Sequence, residues 1–108
     1  MEKYEHYTYR ITWSVADNEY VGLCTEFPSL SWLATTRTAA LDGIEKLVRE
    51  VINDMLTQGE IPPQPLAEKN FSGKLVLRMT SEQHRRLAIS AIEEGVSLNR
   101  YLCARLAE

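Results

Sequence analysis

The stretch that most constrains the fold is "GKLVLRMTSEQ", residues 73–83, in which a single predicted strand runs into the start of a helix. Side chains of a strand alternate between its two faces, so three apolar residues oppose two basic residues and a valine: Leu75, Leu77 and Met79 against Lys74, Val76 and Arg78. A lone strand with about four paired positions can neither bury an apolar face nor satisfy its own edge. The strand therefore needs a partner.

Two short helices follow this strand. Thr80, with Gln83 three positions later, is a capping-box pattern that starts the first helix, and Gly95 is suited to end it. Ser97 then caps a second helix. Apolar residues recur at helical spacing on one face of each helix and are predicted to point inward: Leu87, Ala88, Ala91 and Ile92 in the first, Leu98, Tyr101, Leu102 and Leu106 in the second.

A strand–helix–helix unit of about 36 residues has too little core to be stable alone. We therefore expect two copies to pair their strands antiparallel and to pack their helices together. The shared dimer core is predicted to contain Leu75, Leu77, Met79, Leu87, Leu98 and Leu102. The opposite face of the paired strands then displays the basic residues, either as a solvated outer surface or as a ribbon that fits the major groove of DNA.

Residues 73–108, "GKLVLRMTSEQHRRLAISAIEEGVSLNRYLCARLAE", resemble the ribbon-helix-helix DNA-binding domain of the Arc/CopG type. The resemblance implies that Lys74, Val76 and Arg78 read bases, although Val76 stands where a polar residue is often found. It also implies that Ser97, Leu98 and Asn99 contact phosphate, in agreement with the anion affinity of a helix N-terminus.

The front half predicts a different architecture. "YTYRITWSV", the turn "ADN", "EYVGLCTE" and "LSWLAT" indicate an antiparallel sheet of three or four strands. From Thr36 the apolar residues change to helical spacing, and Gly59 ends the pattern. Seven apolar residues form one stripe that is predicted to cover the sheet: Leu41, Ile44, Leu47, Val48, Val51, Ile52 and Met55. The fold class is therefore α+β.

A proline-rich segment, "GEIPPQPLAEKN", separates the two halves and has no periodicity, which predicts a stiff linker or an edge segment. The predicted domains are residues 1–58, a linker at 59–70, and residues 71–108. Residues 1–70 carry six Lys/Arg and eleven Asp/Glu, a net charge of −5, whereas residues 71–108 carry six and four, a net charge of +2. The front half suits a basic partner and the back half an anionic one.

Three stretches of the front half in this order, "YRITWSVADNEYVGLCTEFP", "TTRTAALDGIEKLV" and "GEIPPQP", together with "FSGKLVLRM", resemble the HicB-family antitoxins. The resemblance implies a truncated ribonuclease-H-like front domain that binds and neutralises a HicA-like RNA-cleaving toxin, and a dimeric back domain that binds the operator of its own operon. It leaves open a higher oligomer through the front domain. The family often has a glutamate in the first turn of the long helix, which is missing here, so Thr36 caps that helix alone. The alternative is a stand-alone ribbon-helix-helix repressor whose front half senses a ligand or mediates oligomerisation.

The sequence favours a binding protein over an enzyme. The first strand contains no acidic residue, and the remaining acids fall at turns, strand ends and helix surfaces, so they predict no two-metal centre. His6 and His84 lack a nucleophile or second ligand at useful spacing, and Cys24 and Cys103 are expected to be small buried residues. We expect no metal, no cofactor, no membrane span, no signal peptide in residues 1–13, and a cytoplasmic location.

Overall fold

The structure of the chain, a computed structural model, describes residues 5–107. The fold divides into unit 1, Met1–Phe71, and unit 2, Ser72–Glu108. The expectation of no signal peptide concerns residues 1–4 in part, which lie outside the described residues. Within residues 5–107, no helix has the length and apolar character needed to cross a membrane.

Unit 1 contains the predicted antiparallel sheet, with strands β1 (Tyr9–Ser14), β2 (Glu19–Cys24) and β3 (Ser31–Ala34) in the order β1-β2-β3. The turn at 15–18 is formed where the sequence predicted it, and Asn18 adopts φ 55°, a left-handed conformation that asparagine tolerates. The register pairs Ile11 with Gly22 and Gly22 with Trp32. The prediction of an α+β chain with a three-stranded sheet is confirmed.

One face of the sheet lies against the helix α1 (Arg37–Thr57). Gly22 is required at the point of closest approach, because a Cβ atom there would lie 2.6 Å from the backbone oxygen of Ala40. A Cβ atom at Gly43 on the helix would likewise meet the ring of Trp32 at 2.0 Å. Two glycines thus let the helix and sheet backbones approach closely enough to close the core.

The ends of α1 follow the predicted capping signals. Thr36 caps the N-terminus, where its hydroxyl accepts from the N–H of Ala39 at 3.1 Å. Gly59, at φ 79°, ends the helix in a Schellman motif, with the N–H of Glu60 donating to the carbonyl of Met55 at 2.8 Å. The predicted apolar stripe is the face that packs on the sheet, and its central residues are fully buried: Ile44, Val48 and Ile52.

Unit 2 consists of α2 (Ser81–Glu93) and α3 (Leu98–Leu106). The capping box at the start of α2 is confirmed: the Thr80 hydroxyl accepts from the N–H of Gln83, and the Gln83 side chain accepts from the N–H of Thr80, both at 3.2 Å. Gly95, at φ 71°, forms the predicted turn between the helices. Residues 71–80 form no strand in the single chain, because a strand is defined by hydrogen bonds to a neighbour and the expected neighbour is a second copy.

Unit 2 buries little of its own apolar surface. Among its described residues only Ala91 is fully buried. Ile92 and Leu106, predicted to point inward, are 76% and 72% exposed in the single chain, which lacks the second copy that the predicted dimer requires. Cys103 is also exposed rather than buried as expected, whereas Cys24 lies in the core of unit 1. Helical spacing predicts an inward face only where something covers that face, and one copy of unit 2 leaves it exposed.

Candidate functional site

Unit 2 contains an open groove of about 850 Å³ between the segment before α2 and one side of α3. Its apolar lining comes from both elements: Leu75, Leu77, Met79, Leu98, Leu102 and Leu106. Leu75 and Leu77 are 75% and 52% exposed, which is high for leucines that face a common groove. Five of the six residues of the predicted dimer core therefore line this groove. Leu87, the sixth, is half-buried and does not line it.

Local structure explains why the groove forms where it does. Met79 directly precedes the Thr80 cap, and His84 is the fourth residue of α2, so the two stand at the positions of a hydrophobic staple. Both side chains line the groove. The capping box thus fixes the direction in which the preceding segment enters the helix and keeps its apolar residues on the α3 side.

The residues predicted to read bases are exposed. Val76 is 84% exposed, and neither Val76 nor Lys74 lines the groove, whereas Arg78 does line it. No ion pair among residues 5–107 includes Lys74 or Arg78. Both cations are therefore available for a ligand in the single chain.

The predicted phosphate-contacting residues form the start of α3. The Ser97 hydroxyl accepts from the N–H of Arg100 at 3.1 Å and so caps the helix. The N–H groups of Leu98 and Asn99 precede the first possible intrahelical bond, which leaves them directed outward at the positive end of the helix dipole. The side chains of Leu98 and Asn99 meanwhile line the groove. Leu98 thus contributes its backbone N–H to the predicted phosphate site and its side chain to the groove.

One cluster in unit 2 carries no sequence signal that pointed to it. Arg105, in the last turn of α3, donates to the Tyr101 hydroxyl at 3.0 Å, approaches the Glu94 carboxylate at 3.8 Å, and lies 4.9 Å from the centre of the Tyr101 ring. These contacts join the end of α2 to α3. We interpret the cluster as structural, because these three contacts lie within unit 2 and stabilise the packing of α2 against α3.

The described acidic residues of unit 1 are spread over turns, strand ends and the surface of α1. No group of three or more Asp, Glu, His or Cys residues among residues 5–107 is arranged to hold a metal ion. Burial raises the pKa of the Cys24 thiol to about 11 and that of the Tyr9 hydroxyl to about 12. Both groups stay protonated near neutral pH and are poor nucleophiles in that state.

The sequence did not indicate the role of Glu26. Burial opposes its ionisation, but the backbone N–H groups of Leu66 and Thr8 each donate to its carboxylate at 2.9 Å, and the net effect is a lowered pKa. The Thr8 hydroxyl adds a third bond at 3.1 Å. Glu26 therefore has a structural position at the end of β2 and is not a solvated surface acid.

The described chain is thus an α+β protein with a sheet-and-helix unit followed by a two-helix unit that exposes an apolar groove and two free cations. Residues 57–106 match the model of the HicB family, a span that runs from the end of α1 to the end of α3. No curated protein and no solved structure matches the chain. The chain is therefore similar to the HicB family over 50 of its 108 residues.

Proposed function

We propose that this protein is the antitoxin of a type II toxin–antitoxin pair, which neutralises a HicA-like RNA-cleaving toxin and represses its own operon by binding the operator as a dimer. The observation that carries the proposal is the match of residues 57–106 to the HicB family. The groove, the exposed cations and the division of charge each support one part of it.

Dimerisation is supported by the groove of unit 2. Its lining is apolar, open and contributed by the same segment whose backbone lacks a strand partner. A second copy brings an identical segment and an identical groove, and a two-fold arrangement lets each copy cover the other. Pairing the segments antiparallel would satisfy their backbone groups and remove the apolar lining from water in a single step.

Operator binding is supported by the residues that the proposed dimer leaves exposed. Lys74 and Val76 alternate with the groove-lining leucines, so pairing through the groove leaves them on the opposite face of a two-stranded ribbon. Arg78 follows the same alternation in the sequence, although in the single chain it lines the groove. A ribbon of that width enters the major groove, where arginine forms a bidentate contact with guanine. The capped N-terminus of α3 adds N–H groups suited to a backbone phosphate.

Toxin binding is supported by the charge of the front half. Residues 1–70 carry a net charge of −5, which favours association with a basic RNA-binding protein. The proposal assigns this chain no catalytic step of its own.

The deciding experiment is co-expression of the full chain with the product of the adjacent gene, followed by purification and assay of RNA cleavage with and without the antitoxin. We expect a small basic partner that co-purifies with this chain and whose RNA cleavage the chain suppresses. A chain that binds operator DNA as a dimer but has no such partner would instead be the stand-alone repressor. A chain that does neither would overturn both functions.

A further inference from the structure

The proline-rich segment is attached to unit 1, although its composition is that of a linker. We define residues 60–68 as the strap. Pro62 and Pro65 are buried, and Pro65 is among the most completely buried side chains of the chain. The strap ends in a short 3-10 helix, Leu66–Glu68.

Three polar contacts hold the strap to the strand end of unit 1. The Tyr7 hydroxyl donates to the carbonyl of Pro63 at 2.6 Å, and the N–H of Leu66 donates to the Glu26 carboxylate at 2.9 Å. The third contact joins the His6 ring to the Glu68 carboxylate. The strap is thus held by side chains from residues that are 40 to 62 positions away in the sequence.

This mode of attachment differs from that of the sheet. The strap belongs to none of the three described strands, and its prolines have no N–H group with which to extend a ladder. Apart from the burial of Pro62 and Pro65, its attachment consists of a few polar contacts, and the Glu26 carboxylate that binds Leu66 also binds Thr8. A segment held in this way opens more easily than the strands and α1, whose backbone bonds form continuous ladders over a buried core.

We propose that the strap is a releasable element, which detaches from Tyr7 and Glu26, before β1 and after β2, while the sheet and α1 remain folded. Its release sets the length of chain that connects the two units. When the strap is docked, the connection runs from Glu68 to Lys74 and reaches at most about 20 Å. When it is released, the connection begins at Glu60, which the end of α1 still anchors, and reaches about 45 Å. A longer connection lowers the effective concentration at which a partner bound to unit 1 meets a ligand bound to unit 2. That consequence for toxin and DNA rests on the proposed function, whereas the release itself does not.

Amide hydrogen exchange of the full chain, resolved by residue with NMR, tests the proposal. In the wild-type chain the Leu66 amide should exchange through an opening that leaves the amides of β2 protected. Glu26→Gln removes the charge that holds Leu66, so we expect its exchange to accelerate about tenfold or more, while the amides inside β2 and α1 change little. Glu50→Gln is the matched control, because Glu50 is exposed on α1 and its removal changes the net charge equally. That control should leave Leu66 exchange unchanged.

A second variant separates the loss of a contact from the loss of a charge. Tyr7→Phe removes the hydroxyl that reaches Pro63 but keeps the ring, which packs edge-on against Phe27 with centres 5.4 Å apart. It should accelerate exchange at Leu66 without altering charge. Two results would overturn the proposal: Leu66 and the β2 amides opening together in the wild-type chain, or Leu66 exchange that neither variant accelerates. Because the measurement uses the free chain, a missing toxin or operator would not change its result.

Discussion

The groove of unit 2 leads to the sharpest prediction, which is that Leu75→Ala weakens dimerisation. Full burial of a leucine side chain is worth about 1.5–3 kcal/mol. Leu75 is 75% exposed in the single chain, so covering it in a dimer makes about 1–2 kcal/mol available from each copy. A two-fold interface contains the residue twice, which gives about 2–4 kcal/mol for the pair and a rise in the dimer dissociation constant of roughly 30- to 700-fold. The alanine Cβ retains part of this contact, so the range is an upper bound.

Sedimentation equilibrium of the full chain over a dilution series measures this dissociation constant. Val76→Ala is the matched control, because Val76 is the neighbouring residue, is 84% exposed, and does not line the groove. Val76→Ala should leave the dissociation constant within a fewfold of the wild-type value. Circular dichroism of both variants checks that α2 and α3 still form.

Two outcomes would refute the reasoning. If Leu75→Ala and Val76→Ala raise the dissociation constant equally, the dimer does not bury one face of residues 74–79 in preference to the other. The alternation of side chains along this segment would then not define a dimer face. If the wild-type chain stays monomeric at every concentration, the groove is covered by something other than a second copy. Either result would also remove the ribbon on which the operator-binding proposal depends.

Three further predictions follow from the remaining contacts. Lys74→Ala and Arg78→Ala should each weaken specific operator binding by about 1–3 kcal/mol in a mobility-shift assay without dissociating the dimer, and unchanged binding would show that the ribbon face is not the reading surface. A chain ending at residue 71 should unfold at a higher urea concentration than one ending at residue 58, because only the longer chain keeps Pro65 buried; equal midpoints would mean that the strap adds no stability. The pKa of Glu26 is lowered by folding, so its contribution to the free energy of unfolding is present above its unfolded-state pKa and is lost as the pH falls through its folded-state pKa. Urea unfolding of the wild-type chain and Glu26→Gln should therefore converge in acid, and a stability difference that persists there would contradict the assignment.

The elements that the sequence predicted are those specified by local patterns. The turn at 15–18, the Thr36 cap, the change to helical spacing in α1 and the capping box at Thr80 each depend on residues within a few positions of one another. Such signals survive in a single sequence because the same short-range physics that forms the element also restricts the residues. The three strands and the apolar stripe of α1 were found for this reason.

The features that were missed depend on distant residues or on a missing partner. Glu26 meets Leu66 across 40 positions, and no periodicity records that contact. From the sequence, Glu26 is one of the acids at turns, strand ends and helix surfaces, and no contact is predicted for it. Ile92 and Leu106 were predicted to point inward because helical spacing shows which residues share a face, but spacing does not show whether one chain can cover that face.

The strap shows how the same residues can support both a linker prediction and a docked structure. Proline disfavours helix and sheet, which made residues 59–70 look like a boundary. Proline also loses little conformational entropy when it is fixed, so an extended proline-rich segment is inexpensive to hold once a few side chains reach it. Tyr7 and Glu26 supply those contacts, which attach the proline-rich segment to unit 1, Met1–Phe71. The connection from Glu68 to Lys74 is short. The reach of the chain between the two units therefore depends on whether Glu26 keeps its hydrogen bond to the N–H of Leu66.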